Sequence, residues 1–424
     1  MSSSEAVVLG AGPAGLGAAL ALARAGVEVT LVDAADEPGG LCVTRRRDGF
    51  AYDVGGHIPF VRDEGRRAWL EELLGPDLGW VDRPVSCVRG GAIVRGRYLD
   101  QRPEGLEVLA RPDGTAAGEL GSRFGVAFVN RVMRPYLEKI DGLPLERIPG
   151  ERARRLLEDQ AAPDGFHFPA AGIGQLMDAM AVAARDAGAR VLLETGVDAI
   201  EVPRGALAGV RLRGDAAIER IATHQAVVGM PAGAAVRLLT PAAPGGLTRT
   251  ARMRAVCIVM LRVGRDRLSA EPWIQVDDPD VPFARAFEPA NWSPALAPPG
   301  ETVIGLECYC QADDDDPVWG LSDDELAARC ARALAGHPLH LLDDPAEARA
   351  LEVMRLSRAY PVPDIAQIAA LTAPALWLDA LEGLHLAPGA AVIEAIEAGE
   401  RAAAAVIGGT RSTPLDPDAV PPIS

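Results

Sequence analysis

Residues 6–40 read AVVLGAGPAGLGAALALARAGVEVTLVDAADEPGG, and residues 49–60 read GFAYDVGGHIPF. The run 6–9 is apolar, short and followed at once by glycine, the pattern of a buried strand. Gly10, Gly12 and Gly15 form a G-x-G-x-x-G turn, and the alanine- and leucine-rich residues 14–25 predict a helix starting near the last of them. Residues 27–32 predict a second strand, closed by Asp33 about 20 residues beyond the glycines. Strand, turn, helix, strand and acid in this order describe a dinucleotide-binding unit. Gly10 permits the tight turn, Gly12 lets backbone approach a pyrophosphate, and Gly15 lets helix and strand close up. The amides of the first helical turn, around Pro13 and Ala14, favour phosphate charge. The Asp33 carboxylate suits the hydroxyls of an unphosphorylated ribose.

A second glycine pair, Gly39 and Gly40, follows the acid, and Gly55, Gly56 and His57 close the segment. With these residues the chain resembles the flavoprotein family of amine oxidases, protoporphyrinogen oxidases, phytoene-type desaturases and, more distantly, UDP-galactopyranose mutases. The resemblance implies FAD as cofactor, with Gly39, Gly40, Gly55, Gly56 and His57 along it. It also implies an α/β fold: a Rossmann-like FAD-binding domain of the GR2, glutathione reductase-like type, with an inserted α+β substrate domain.

The chain has 424 residues, 49% of them hydrophobic, which is ample for two domains. A formal charge of −17 argues against nucleic acid or an anionic membrane as partner, because both require basic surface. A small-molecule substrate is the expected partner, and the oligomeric state stays open. Six cysteines, Cys42, Cys87, Cys257, Cys308, Cys310 and Cys330, show neither C-x-x-C nor zinc spacing, so no metal is expected and reduced thiols fit the cytoplasm. Cys42 stands beside the paired glycines, where it is either a flavin contact or a small buried filler. The uncharged residues 6–23 are interrupted by the glycine turn and follow no basic segment, and the apolar run 365–378 is too short for a membrane span.

Along the chain, residues 62–74 predict a surface helix, and residues 86–100 a hairpin about Gly90 and Gly91. Residues 106–174 read as mainly helical and include Tyr136 and Lys139, three apart on one helix; Lys139 is the only lysine. It either faces a pocket with Tyr136 or pairs with a neighbouring acid. A glycine turn, a helix at 175–186 and strands near 191–193 and 197 restore the α/β rhythm. This return segment resembles the family's, which implies that the Val197 backbone meets the adenine. Residues 226–230 form an apolar strand before Pro231.

In the next portion, Arg285 matches an arginine of the mutase-like branch, implied to lie near flavin or an anionic substrate; a structural salt bridge is the other reading of this residue. Ser322 and Glu325 form a capping box, and the acidic run 312–316 reads as a solvated loop. "SRAYPVPDI" resembles the family's "AYP-x-Y-D" strand, which implies Arg358 and Tyr360 as pocket residues, with the aromatic either walling the flavin or belonging to the core. Near the end, an alanine-rich helix to residue 407 follows Gly389, the match to the family's last flavin glycine; the acid usual beside that glycine is absent, and Glu394 lies too far along to replace it. The boundaries implied are FAD-binding parts at 1–85, 186–248 and 371–412, substrate-domain parts at 86–185 and 249–370, and a proline-rich tail at 413–424.

The expected chemistry is oxidation of a C–N or C–C bond with hydride passing to flavin N5, with His57, Arg285 and Tyr360 as the catalytic candidates. A mutase-type isomerase acting on a nucleotide sugar and a flavin-binding protein without turnover are the alternatives.

Overall fold

The computed structural model describes residues 6–82, 85–89, 92–95, 112–160, 165–213, 220–248, 252–389 and 391–410. The tip of the 86–100 hairpin and the proline-rich tail lie outside the described residues. Two sheets of different character organise the rest.

The first is parallel and five-stranded, in the order Leu384–Leu386, Gln225–Val228, Ala6–Leu9, Val29–Val32 and Arg190–Leu192. Ala6–Leu9 is central and fully buried, as its unbroken apolar sequence requires for a strand covered on both faces. Helix Pro13–Arg24 follows it and packs on the last helix, Val392–Gly408. That contact is backbone against backbone: a Cβ on Gly17 would lie 2.5 Å from the Ile396 carbonyl oxygen, and one on Gly399 1.9 Å from that of Ala14. The alanine and glycine content of both helices is therefore a packing requirement, because any larger side chain would separate them.

Helix Ile173–Asp186 shares the apolar cluster of Pro13–Arg24 through Ile173, Leu176, Met177 and Met180. This helix lies on the substrate-domain side of the boundary expected at 185/186, yet it packs against helix Pro13–Arg24 of the parallel-sheet layers. A four-stranded sheet containing Gly196–Glu201 flanks this region.

The second large sheet has seven strands and is antiparallel except where Trp273–Gln275 meets Val85–Arg89. Its long strand Met253–Val263, second from one edge, reads VCIVMLRV over its apolar part because both faces are buried. Val256, Ile258 and Met260 enter one core, and Cys257, Val259 and Leu261 enter the core on the other side, as the two-residue period of a strand dictates. Helix Asp323–Ala335 covers the second face, opened by the Ser322 and Glu325 capping box read from sequence. The first face packs against the hairpin of Thr44–Arg47 and Phe50–Asp53 and against helices Ala116–Phe124 and Arg134–Asp141.

Candidate functional site

The glycine turn forms as its spacing requires. Gly10 has φ +104°, a conformation that favours glycine, and a Cβ on Gly15 would lie 1.8 Å from the Gly10 carbonyl oxygen. Gly12 is different: it precedes the helix with ordinary extended backbone, and a Cβ there would meet nothing within 4 Å. The helix start has no side-chain cap, so no side chain takes up its first amides beside this open face of Gly12. Asp33 is tied to the glycine turn, its carboxylate accepting from the Ala11 amide at 2.6 Å and the Ala35 amide at 2.8 Å. Gly40 borders Gly12, since its Cβ would come 3.4 Å from the Gly12 Cα, and the Gly39 amide donates to the Ala11 carbonyl at 2.8 Å. Val197 sits in strand Gly196–Glu201 beside the end of the second parallel strand: a Cβ on the adjoining Gly196 would approach Ala34 at 3.7 Å. Cys42 is buried, and burial followed by the charge of Asp53 pushes its thiol up to about 12; it is an inert filler at this edge.

The loop of Gly55, Gly56 and His57 lies against the seven-stranded sheet. Trp273 backs it so closely that a Cβ on Gly56 would overlap the indole at 2.1 Å, while a Cβ on Gly55 would lie 3.5 Å from Glu307. The Gly56 amide donates to Glu307 Oε1 at 3.2 Å. Glu307 is 2% exposed, and its other oxygen accepts from the Tyr309 hydroxyl at 2.7 Å and from Arg285 Nη1 at 3.4 Å. Arg285 also donates through Nε to the Tyr136 hydroxyl at 3.0 Å and lies over the rings of Trp273 and Tyr309. Tyr309 stacks on Tyr360 with centroids 5.9 Å apart. Burial, then the charge of Glu307, pushes the Tyr360 phenol up to about 12, so it stays protonated.

His57 follows Gly56, and its Nδ1 is buried without a hydrogen-bond partner among the described residues. Burial holds the imidazole below its ordinary pKa against the opposing pull of Glu307, so the ring is neutral at pH 7. Arg152 completes the wall. Paired with Asp141 at 3.3 Å, it acts electrostatically on both Tyr136 and Tyr360, and its Nε has no partner among the described residues.

Of the residues singled out from sequence, His57, Arg285, Tyr360 and Tyr136 come together here. Arg358 does not: it is exposed on the outer part of its strand. Lys139 adopts neither role expected of it, because its ammonium donates to the carbonyls of Val276, Asp278 and Phe283 at 3.3, 2.7 and 2.7 Å. It ties helix Arg134–Asp141 to a loop. Gly389 packs on the last helix, where a Cβ would lie 2.3 Å from the Ala395 Cα, and Glu394 is exposed. In the acidic run, Asp316 closes a turn by accepting from the amides of Gln311, Val318 and Trp319. Glu307 and Arg152 were missed: the first is hidden in an otherwise apolar strand, the second in an arginine-rich helix.

The profile described as "NAD(P)-binding Rossmann-like domain" matches residues 8–73, and that described as "Flavin containing amine oxidoreductase" matches residues 103–407. The chain belongs to the flavin-containing amine oxidoreductase family. Among curated proteins it is 26% identical over 267 residues to a phytoene desaturase (neurosporene-forming) of Rhodobacter capsulatus, covering 49% of each. The chain thus spans about half the length of that relative. Among solved structures, reduced UDP-galactopyranose mutase superposes with a TM-score of 0.78 at 19% identity over 99% of both chains. A putrescine oxidase bound to putrescine superposes with a TM-score of 0.67 at 17% identity over 96% of this chain and 99% of that one. At these identities the structural likeness establishes the fold.

FAD is the cofactor of this family member, and the residues present fit it. The open face of Gly12, the uncapped helix start and Asp33 suit a pyrophosphate and ribose, and the orphaned Nδ1 of His57 provides a buried polar atom for the other end. No helix among the described residues is long and apolar enough to cross a membrane.

Proposed function

We propose that this protein is an FAD-dependent oxidoreductase that oxidises a C–N or C–C bond of a small anionic molecule. The observation that carries this reading is the wall of Arg152, Arg285, Tyr136, Tyr309 and Tyr360 beside the His57 loop. Arg285 pairs with Glu307 and Arg152 with Asp141, and the Arg152 Nε, without a partner among the described residues, is the donor left for a carboxylate or phosphate. The architecture assigned to this function is a GR2-type FAD domain, with the seven-stranded sheet and its helices as the inserted substrate-binding part.

The flavin, when bound, supplies two-electron chemistry as a hydride acceptor. The chain's own residues do the rest. Gly10, Gly12, Pro13, Ala14 and Gly15 cradle the pyrophosphate, Asp33 holds the ribose, and Gly39, Gly40 and the Val197 backbone border the adenosine half. Gly55, Gly56 and His57 serve the ring end, and Gly389 holds the last helix close to it. Arg285 and Arg152 orient the substrate anion, Tyr360 closes the pocket as a neutral donor, and neutral His57 accepts or holds a proton at Nδ1.

The same arginine pair favours a second reading, a mutase-type isomerase acting on a nucleotide diphosphate sugar, which the 0.78 TM-score to the mutase fold supports. Anaerobic mixing of the yellow holoprotein with anionic amines and hydroxy acids tests the first reading, with bleaching of the flavin absorbance expected. Absence of bleaching, together with UDP-sugar binding that requires dithionite-reduced protein, would overturn it in favour of the second. Unaltered absorbance and no UDP-sugar binding in either redox state would leave a flavin-binding protein without turnover.

A further inference from the structure

The loops around Gly39 and Gly56 continue from the two ends of one hairpin, in which Thr44 and Asp53 are cross-strand partners at the open end. Its first strand is largely exposed, so apolar packing grips only Phe50–Asp53. The polar anchor sits at the open end. Thr44 Oγ1 donates to Asp53 Oδ1 at 2.7 Å, and the Asp53 carboxylate, 2% exposed, accepts from the Ile173 amide at 3.1 and 3.2 Å. Thr44 Oγ1 in turn accepts from the Gly174 amide at 2.9 Å.

Helix Ile173–Asp186 has Gly172 as its N-cap residue, which offers no side chain. The hairpin therefore supplies the missing caps. The fit admits only glycine on the helix side: a Cβ on Gly172 would lie 2.4 Å from Thr44 Oγ1, and one on Gly174 2.9 Å from the Thr44 amide nitrogen. On the other side of the same residue, the Asp53 carbonyl accepts from the Gly55 amide at 2.9 Å. The clamped residue is the one from which the His57 loop departs.

We infer that Asp53 is a positioning residue for the cofactor site: by capping the start of helix Ile173–Asp186 it fixes the hairpin's open end, and with it the placement of His57 relative to the paired glycines. The inference rests on the FAD reading of these loops and deepens it. Asp53 is surrounded by Thr44, the Ile173 amide, Arg46 and the Cys42 thiol. Burial carries its carboxyl up to about 7 against the pull of the first three, so its proton occupancy changes near neutrality, which provides a readout that packing alone would not move.

The test titrates FAD onto the flavin-stripped full chain as wild type, Asp53→Asn, His57→Ala and the double variant, at pH 6 and pH 8. Asp53→Asn is expected to weaken FAD binding about tenfold, because an NH2 replaces one of the two oxygens that accept from the Ile173 amide, to lose the pH dependence expected of wild type, and to be non-additive with His57→Ala. Thr44→Val keeps the carboxylate and removes one cap; a smaller loss of affinity, again non-additive with His57→Ala, supports the inference even where Asp53→Asn does not fold. Wild-type affinity in the folded variants, or effects that simply add to that of His57→Ala, would overturn it. Wild-type protein that takes up no FAD would instead overturn the cofactor reading beneath it.

Discussion

The dinucleotide turn and the arginine–tyrosine wall are built in opposite ways. The turn is backbone from one continuous stretch, and its chemistry lies in where side chains are missing: Gly10, Gly12 and Gly15 place amides, and Asp33 is the only charged group. The wall is made of side chains carried by separate segments: Tyr136 and Arg152 on helices, Arg285, Glu307, Tyr309 and Tyr360 on strands of one sheet. A site made from consecutive backbone can be read in order. One made from side chains that meet across a sheet exists only after the topology has formed.

The sharpest break in the turn is Gly15→Ala. Its new methyl would lie 1.8 Å from one backbone atom and 2.9 Å from another, so neither neighbour can rotate away. The expected result is a loss of roughly 3 kcal/mol or more, at the upper end for overpacking, and purified protein without FAD. Urea unfolding and the flavin absorbance per chain measure both. FAD at wild-type stoichiometry would show that helix and strand are not closed up at this glycine.

The corresponding break in the wall is Arg285→Ala. It strands Glu307, which is 2% exposed, without its cation. Removing one partner of a buried pair costs about 3 kcal/mol, and adding Glu307→Gln should recover most of it because the stranded charge disappears. FAD stoichiometry of Arg285→Ala should stay at the wild-type level, since the turn is untouched. Co-loss of flavin would mean that the two regions are one cooperative unit.

How much could be read in advance follows the same division. The glycine turn and the Ser322 cap announce themselves through spacing, because each rests on neighbours within a few residues. Lys139 did not: being the sole lysine drew attention to charge chemistry, whereas its role is to satisfy three carbonyls of a loop more than a hundred residues away. Glu307 was invisible for a different reason. In strand Thr302–Cys310 it shares a face with Val303, Gly305 and Tyr309, and its value comes from Gly56 and Arg285, which only the antiparallel register brings to it. Helix Ile173–Asp186 declares its partner through packing and a borrowed cap rather than through composition.

Asp53 stands between the two regions, and its titration separates anchoring from packing. Its folded pKa of about 7 lies above the ordinary 3.8, so the folded chain holds this proton more tightly than the unfolded chain. The stabilising contribution is therefore full below about pH 4, shrinks by up to ~1.4 kcal/mol per pH unit as pH rises, and is gone above about pH 7. Urea midpoints of wild-type protein should fall between pH 5 and pH 7, and those of Asp53→Asn should fall less. Equal slopes would assign the pH dependence to other groups.

The smallest change makes the finest distinction, because Gly12→Ala is the same substitution as Gly15→Ala placed three residues earlier. Gly12 has φ −70° and ψ 178°, which alanine adopts without strain, and its Cβ would meet no atom of the chain. Stability should stay within about 0.5 kcal/mol of wild type, as for an unencumbered surface site, and the loss of unfolded-chain freedom offsets any small cost. FAD binding should nevertheless weaken by about tenfold, equivalent to ~1.4 kcal/mol, because the methyl would stand where a pyrophosphate must approach the backbone. Fluorescence titration with FAD reads the affinity and urea unfolding reads the stability, so the two effects are measured on one preparation. Unchanged affinity would move the pyrophosphate away from this helix start, while a loss of stability comparable to that of Gly15→Ala would mean that Gly12 is held by packing and not kept open for the cofactor.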